Sequence, residues 1–237
     1  MALKTSVKTR PTRPLAVAVI TTDQELDRAA RLRQMPDLFE LRLDALNGTA
    51  EKLVDAIVRL HAPLIITARH PLEGGANNLS AEQRRGLLLH FLPTAKFVDV
   101  ELRAAKRLHA VLATATTLDV KRVISVHQLR GTPPVSRMQQ LLADAEDAGA
   151  DIFKIATRTD TTEELDRLIA FFDSAESRMP VSAMGIGKLG RRSREMLALR
   201  GSVLNYGHLS HATVDGQLSL SEVRSLLRQT TNAKLRS

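Results

Sequence analysis

The chain contains no cysteine and no tryptophan, and both absences narrow its range of functions. Without cysteine among its 237 residues, it has no disulfide framework and no thiolate for catalysis or metal binding. A reducing compartment suits such a composition, and we predict a cytoplasmic protein. Aromatic residues are also scarce, with six Phe and one Tyr. Because proteins bind unpaired bases by stacking them on aromatic side chains, this scarcity argues against a nucleic-acid partner.

Long hydrophobic runs are missing as well. No apolar stretch approaches the roughly 20 residues that a membrane-spanning helix needs, and the first residues lack the apolar core of a secretory signal. We therefore expect no membrane association. What the chain has in excess is positive charge, with 34 Lys and Arg against 26 Asp and Glu. Because the arginines are scattered and not clustered with aromatics, the excess favours a small anionic molecule as partner.

The chain alternates strand-like and helix-like patterns after a short basic segment. Residues 1–14 lack acidic side chains and contain two prolines, which is typical of a flexible arm, and residues 15–237 are predicted to form one domain. Eight strand-like runs are expected at residues 15–21, 38–43, 63–69, 96–101, 122–127, 151–156, 180–185 and 202–206. Helical spacing is clearest at residues 51–60, 81–92, 135–148 and 163–174. Eight such units predict an α/β protein with a (β/α)8 TIM barrel, and a doubly wound open sheet is the alternative.

A lysine interrupts the sixth predicted strand. Lys154 lies in the otherwise apolar run from Asp151 to Ala156. A buried ammonium group is costly unless it is paired or deprotonated. A desolvated, neutral amine is also the nucleophile that condenses with ketones to form a Schiff base, so Lys154 is a candidate catalytic residue. The alternative interpretation is a lysine at a strand end that extends into solvent.

Other polar residues fall at the carboxyl ends of the predicted strands, where barrels of this kind carry their functional groups. Glu40, Arg42 and Asp44 are spaced by two, so they share one face of the second strand, which we interpret as a charged floor inside the barrel. His127 ends the strand before that of Lys154, which places the two on adjacent strands. Further candidates lie after or on the other strands: Arg69, Glu73, Asp99, Glu101, Arg194, Thr213 and Gln217.

Two other patterns suggest ligands that we do not expect. A Gly-x-Gly-x-x-Gly pattern at residues 185–190 matches a dinucleotide-binding motif, but it follows the seventh predicted strand and not the first. We interpret it as an anion-binding turn at the start of a helix. The acidic residues and histidines do not form a convincing ligand set, so no metal is predicted.

These residues fall in ordered blocks that resemble the type I 3-dehydroquinate dehydratases of the shikimate pathway. The blocks are Glu-x-Arg-x-Asp at residues 40–44, Arg-x-x-x-Glu-Gly-Gly at 69–75, Ser-x-His at 125–127, Lys-Ile-Ala at 154–156 and Gly-x-x-Gly-x-x-Ser-Arg at 187–194. The resemblance implies a (β/α)8 barrel and a hydro-lyase that converts 3-dehydroquinate to 3-dehydroshikimate in aromatic amino acid biosynthesis. The chain departs from the family pattern at Val126, Gln128, Ile186 and Asp215.

The resemblance also implies a role for each matching residue. Lys154 would form a Schiff base with the C3 ketone, so that no cofactor is needed, and His127 would act as general base and acid. Glu73 would orient the imidazole. The substrate would be bound by Glu40, Arg42, Arg69, Arg194, Thr213 and Gln217, with Arg194 on its carboxylate and residues 213–217 as a lid. A homodimer is the implied assembly.

Two other functions stay open on the sequence. One is a different Schiff-base barrel enzyme, such as an aldolase acting on a sugar phosphate, which the glycine-rich basic turn allows. The other is an inactive barrel that binds nucleic acid or protein, for which the net charge of +8 is the only support. Turnover of one substrate separates the enzymes, whereas salt-sensitive nucleic-acid binding without turnover would favour the binding module.

Overall fold

Strands and helices alternate along the whole described chain. The computed structural model describes residues 13–46, 50–175 and 179–234, so nearly all of the predicted arm lies outside the described residues. The strands are β1 (Leu15–Ile20), β2 (Leu38–Arg42), β3 (Leu64–Thr67), β4 (Phe97–Glu101), β5 (Lys121–Gln128), β6 (Ile152–Arg158), β7 (Val181–Ile186), β8 (Leu204–His208) and the short β9 (Leu218–Ser219). The helices are α1 (Asp23–Ala30), α2 (Ala50–Ile57), α3 (Ala81–Phe91), α4 (His109–Thr117), α5 (Val135–Asp147), α6 (Thr162–Ala175), α7 (Gly190–Arg200) and α8 (Leu220–Lys234). Each of the eight predicted strands is present, with ends within two residues of the prediction.

The strands form one parallel sheet that curls into a barrel. Their order is β7-β6-β5-β4-β3-β2-β1-β8-β9, with every neighbouring pair parallel. At the seam between β7 and β8, the Val203 N–H donates to the Val181 carbonyl at 3.0 Å, and the Ser182 hydroxyl donates to the Leu204 carbonyl at 2.7 Å. The predicted (β/α)8 barrel is confirmed, and the open sheet is wrong.

Strand alternation divides the apolar residues into two layers. On β2 and β6, Phe39 and Phe153 face outward into the large core between sheet and helices. Leu38 and Ile152 face inward and belong to a smaller apolar cluster inside the barrel. Farther along the same strands the inward positions become polar. An apolar layer therefore supports a polar layer nearer the carboxyl ends of the strands.

Helix α3 contributes Arg84 to the polar layer, where it bonds Glu101. The first turn of this helix is capped by side chains. The Ser80 side chain accepts from the Gln83 N–H, while the Gln83 side chain accepts from the Ser80 N–H. This reciprocal pair fixes where the helix begins. In the part of the chain that the structure describes, no helix is long and apolar enough to cross a membrane.

Candidate active site

A cluster of buried charges fills the upper half of the barrel. Three carboxylates and three cations are almost completely removed from solvent: Glu40, Asp99, Glu101, Arg69, Arg84 and Lys154. Because three negative and three positive groups balance formally, no net charge is buried in this cluster. Charges removed from water are tolerated when each is paired and hydrogen-bonded, as they are here.

Lys154 projects from β6 into the centre of this cluster. Its Nζ lies 2.9 Å from Asp99 Oδ2 and 3.4 Å from Glu40 Oε1. The same atom lies 4.1 Å from the centre of the Tyr206 ring, within the range of a cation–π contact. Only 4% of the Lys154 side chain is exposed. The interpretation of Lys154 as a lysine that extends into solvent is therefore wrong.

Arg69 links Lys154's partners to the rest of the cluster. Its two terminal nitrogens lie 3.1 Å from the two oxygens of Asp99, and Nη1 also donates to Ser125 Oγ at 2.8 Å. Burial alone would raise the pKa of Asp99, but the charges of Arg69 and Lys154 lower it below its ordinary value. Asp99 is therefore an anion that both cations share.

Glu101 extends the cluster to helix α3. It accepts from Arg69 Nη1 at 3.2 Å and is hydrogen-bonded to Arg84, which also donates to the Ala68 carbonyl at 2.6 Å. Glu40 accepts a hydrogen bond from the Thr67 hydroxyl at 2.8 Å. The carboxylates around Lys154 are consequently held by several strands and one helix and have little freedom to reorient.

His127, near the end of β5, pairs with Glu73, which lies in the turn after β3. Glu73 Oε2 lies 2.9 Å from His127 Nδ1 and accepts the His127 backbone N–H at the same distance. Burial, followed by the charges of Arg69 and Lys154, lowers the pKa of His127 well below its ordinary value. The imidazole is thus neutral, and the tautomer that donates from Nδ1 to Glu73 leaves a lone pair on Nε2. A lone pair held in this way suits a general base.

Glu73 gives the protein a pH-dependent stability that a variant can reveal. Burial, with the charge of Glu101, raises the pKa of Glu73 from 4.5 to about 7. Between pH 4.5 and about pH 7 the folded state therefore holds a proton on Glu73 that the unfolded state has lost. The stabilisation from this proton is complete below pH 4.5 and is lost as the pH rises through about 7. The free energy of unfolding of Glu73→Gln minus that of the wild type should therefore be about 2 kcal/mol larger at about pH 8 than at about pH 5, as measured by urea denaturation. An unchanged difference between the two pH values would contradict this account of Glu73.

Arg194 is a buried guanidinium that no carboxylate in the described chain neutralises. It projects from α7, where its Nε donates to the Gly185 carbonyl at 3.1 Å and its Nη1 lies 3.7 Å from Met184 Sδ. Burial lowers the pKa of Arg194 to about 10, so the group is still a cation at neutral pH. An uncompensated cation inside a protein attracts an anionic group of a ligand.

The glycine-rich turn after β7 is built for packing. Gly187 has a φ of +94°, and a side chain there would collide with Asp160, which accepts the Lys188 N–H at 2.8 Å. The Gly187 N–H donates to the Asp215 carbonyl at 3.1 Å. This bond places residues 213–217 beside the turn that leads to α7 and Arg194.

The residues to which the family resemblance gives a role fall into three groups, apart from Arg42. The first shares the barrel interior: Glu40, Arg69, Glu73, His127 and Lys154. Thr213 and Gln217 lie in the loop after β8 and bond each other, because Gln217 Oε1 accepts from the Thr213 N–H at 2.8 Å and from its hydroxyl at 3.0 Å. Arg194 lies at the turn that this loop touches.

The predicted charged floor on β2 is only partly present. Arg42 donates to both oxygens of Asp44, from Nε at 2.9 Å and from Nη2 at 2.7 Å, and also to the Gly74 carbonyl at 3.2 Å. Asp44 lies beyond the end of β2 and accepts the Arg69 N–H at 3.0 Å. Of these three residues, only Glu40 lies in the charged cluster inside the barrel. Arg42 and Asp44 instead connect the loops after β2 and β3 through hydrogen bonds.

Sequence reasoning named Asp99 as a candidate without giving it a role, and it left out Arg84 and Tyr206. Asp99 is the nearest anion to Lys154, and the available signal was its spacing of two from Glu101 on β4. Tyr206 and Arg84 had no comparable signal, since neither stands in a distinctive local pattern. Among the described residues, no group of three or more His, Asp or Glu side chains could hold a metal ion.

The fold and the site together define a parallel β/α barrel with a buried, paired lysine on β6 and a neutral histidine on the adjacent strand β5. Residues 15–234 match the family described as type I 3-dehydroquinase. A 3-dehydroquinate dehydratase of Methanocella arvoryzae is 31% identical over 216 residues, covering 91% of this chain and 96% of that protein. One of Pyrococcus abyssi is 32% identical over 193 residues, covering 81% and 86%. The chain belongs to the type I 3-dehydroquinase family.

A solved structure agrees with this assignment. The 3-dehydroquinate dehydratase of Geobacillus kaustophilus HTA426 superposes with a TM-score of 0.85 at 26% identity, covering 93% of this chain and 92% of that one. The family resemblance inferred from the sequence is confirmed, and so is the prediction of a shikimate-pathway hydro-lyase. Family membership favours this function over both alternatives, the sugar-phosphate aldolase and the inactive binding module.

Proposed function

We propose that this chain dehydrates 3-dehydroquinate to 3-dehydroshikimate through a Schiff base on Lys154, without a cofactor. The observation that carries the proposal is the position of Lys154 Nζ, buried between Asp99 and Glu40 on the strand next to His127. An amine in this position can attack a ketone while the enclosing barrel excludes water. The curated relatives, named 3-dehydroquinate dehydratases, supply the identity of the ketone.

The surrounding carboxylates suit the intermediate as well as the resting lysine. The ammonium first gives a proton to His127, and the neutral Nζ attacks the C3 carbonyl to give a carbinolamine. The carbinolamine hydroxyl then takes the proton back from His127 and leaves as water, which gives an iminium with the same positive charge as the ammonium. Asp99 and Glu40, 2.9 and 3.4 Å from Nζ, can therefore stabilise the iminium without moving. The iminium withdraws electrons from C2 and makes its hydrogens acidic, which is the reason for forming it.

His127 is proposed to move the proton that dehydration requires. Its Nε2 takes a proton from C2, and the electron pair of that C–H bond is delocalised into the iminium to form an enamine. The imidazolium then gives the proton to the C1 hydroxyl, which leaves as water while the enamine electrons form the new C1–C2 double bond and the iminium is restored. Water then hydrolyses this iminium and releases 3-dehydroshikimate and Lys154. Glu73, 2.9 Å from Nδ1, holds the ring and stabilises the imidazolium.

The remaining predicted residues are proposed to bind the substrate. Arg194, a buried cation without an anionic partner among the described residues, would take the substrate carboxylate as a charge-assisted pair. Thr213 and Gln217 would cover it when their loop closes. Glu40, Arg42 and Arg69 would bind ring hydroxyls. A homodimer, a cytoplasmic location and the absence of nucleic-acid and membrane partners stay predictions.

Borohydride trapping tests the proposal directly. Incubation with 3-dehydroquinate and sodium borohydride should reduce the imine and leave a stable adduct, which peptide mass spectrometry should locate on Lys154. Lys121→Met, which removes a lysine at the opposite end of the barrel, should still form the adduct, whereas Lys154→Met should not. A missing adduct in the wild type, together with no rise in enone absorbance, would overturn the proposed function.

A further inference from the structure

Strand β8 carries two buried polar atoms that have no hydrogen-bond partner in the described part of the chain. Among the residues the structure describes, three buried side-chain nitrogen or oxygen atoms have no hydrogen-bond partner, namely Arg167 Nε, Tyr206 OH and His208 Nδ1. Two of the three lie on β8, two residues apart. Buried polar groups are nearly always hydrogen-bonded because desolvation without a partner costs free energy. Two exceptions on one short strand therefore need a physical reason.

Both side chains face the barrel interior. Tyr206 belongs to the inner apolar cluster and lies against Lys154 Nζ, 4.1 Å from its ring centre. His208 is two residues farther along and so points to the same face, one layer closer to the mouth. Their β1 partners in register, Val17 and Val19, also belong to the inner cluster. In contrast, Asn205, which precedes Tyr206 on β8, donates its side-chain amide to the Ser202 carbonyl at 2.8 Å.

The charged cluster does not compensate these two atoms. Asp99 is occupied by Arg69, Ser125 and Lys154, and Glu40 by Thr67 and Lys154. Burial, with the charges of Glu40 and Asp99, raises the pKa of Tyr206 well above its ordinary value, so the phenol keeps its proton as a donor. Both residues thus lie on the inward side of β8, where the Tyr206 ring contacts Lys154 Nζ, the atom to which the proposed substrate is attached.

We propose that Tyr206 and His208 form a hydrogen-bonding wall that binds ring hydroxyl groups of the substrate held on Lys154. The inference rests on the Schiff-base function proposed above and adds two binding residues that the sequence did not indicate. Phenol and imidazole complement a hydroxyl group, because the phenol donates to it and an imidazole nitrogen donates to it or accepts from it according to its tautomer. Binding would give both orphaned atoms their missing partners and would orient the ring relative to His127.

Tyr206→Phe is the sharpest test because it removes one oxygen and keeps the ring against Lys154. KM for 3-dehydroquinate should rise about three- to tenfold while kcat stays within about twofold, as expected when a neutral hydrogen bond made in both ground and transition states is lost. The melting temperature should stay the same or rise, because the unbound protein loses an unsatisfied buried group. His208→Ala should raise KM similarly, with His61→Ala, an exposed histidine before β3, as the matched control.

Analogues of the substrate identify the hydroxyl and separate two kinds of failure. An analogue lacking the hydroxyl that Tyr206 contacts should bind the wild type and Tyr206→Phe equally well. An unchanged KM in both variants, or a lowered melting temperature in Tyr206→Phe, would overturn the binding wall while the borohydride adduct on wild-type Lys154 still formed. Failure of the proposed function would instead remove that adduct from the wild type.

Discussion

Lys154→Met is expected to lower kcat/KM by a factor of about 10⁴ or more, the largest effect of any single substitution in the site. Methionine matches the length and apolar character of the lysine stem but has no amine. Without the iminium, the C2 hydrogens lose their electron sink, and neither His127 nor Arg194 can replace it. The measurement is the rise of enone absorbance with purified variant and 3-dehydroquinate.

The variant should fold because the carboxylates keep other partners. Asp99 still binds both terminal nitrogens of Arg69 at 3.1 Å, and Glu40 still accepts from the Thr67 hydroxyl. Lys154→Arg is the second control, since it keeps a positive charge beside Asp99 without an amine able to form the imine. Circular dichroism of both variants should match the wild type. More than about one hundredth of the wild-type rate in either folded variant would mean that the reaction does not pass through Lys154.

The barrel was predictable because its signals are local. Each interior strand is a short apolar run between polar turns, and the spacing of two on β2 placed Glu40 on the inward face. Lys154 stood out for the same reason, as a charge inside such a run. The alternation of inward and outward side chains along a strand also explains one departure from the family pattern, Val126 on β5. Val126 faces the core between sheet and helices, so its side chain points away from the imidazole that follows it.

The partners of Lys154 were less predictable because they are distant along the chain. Asp99 is 55 residues away, and its role depends on β4, β5 and β6 lying side by side. Arg84 stands beside a second arginine on a polar helix, and only the packed fold reveals that it is 1% exposed and bonded to Glu101. Arg42 was placed on the correct strand, but its pairing with Asp44 depends on the loops beyond that strand. Local patterns thus locate side chains on elements, whereas charge pairing is decided by tertiary contacts.

His127→Ala is expected to lower kcat by a factor of about 10² to 10⁴ with little change in KM, because general acid–base catalysis contributes about that much. The variant keeps Lys154 and its carboxylates, so substrate should still bind and the borohydride adduct should still form, although more slowly. Stopped-assay kinetics and adduct mass spectrometry measure the two effects separately. Near-normal kcat would mean that another group removes the C2 proton.

The local structure should tolerate the loss of the imidazole, which makes the kinetic result interpretable. Glu73 Oε2 accepts the backbone N–H of residue 127 at 2.9 Å, and alanine retains this bond. The cavity left by the ring lies between Glu73 and Arg69, whose Nη1 is 3.5 Å from His127 Nδ1 in the wild type. Added imidazole should therefore enter this cavity and restore part of the rate, whereas it should not rescue Lys154→Met. Rescue confined to His127→Ala would place the missing function in proton transfer, and equal failure of both variants would place His127 in imine formation instead.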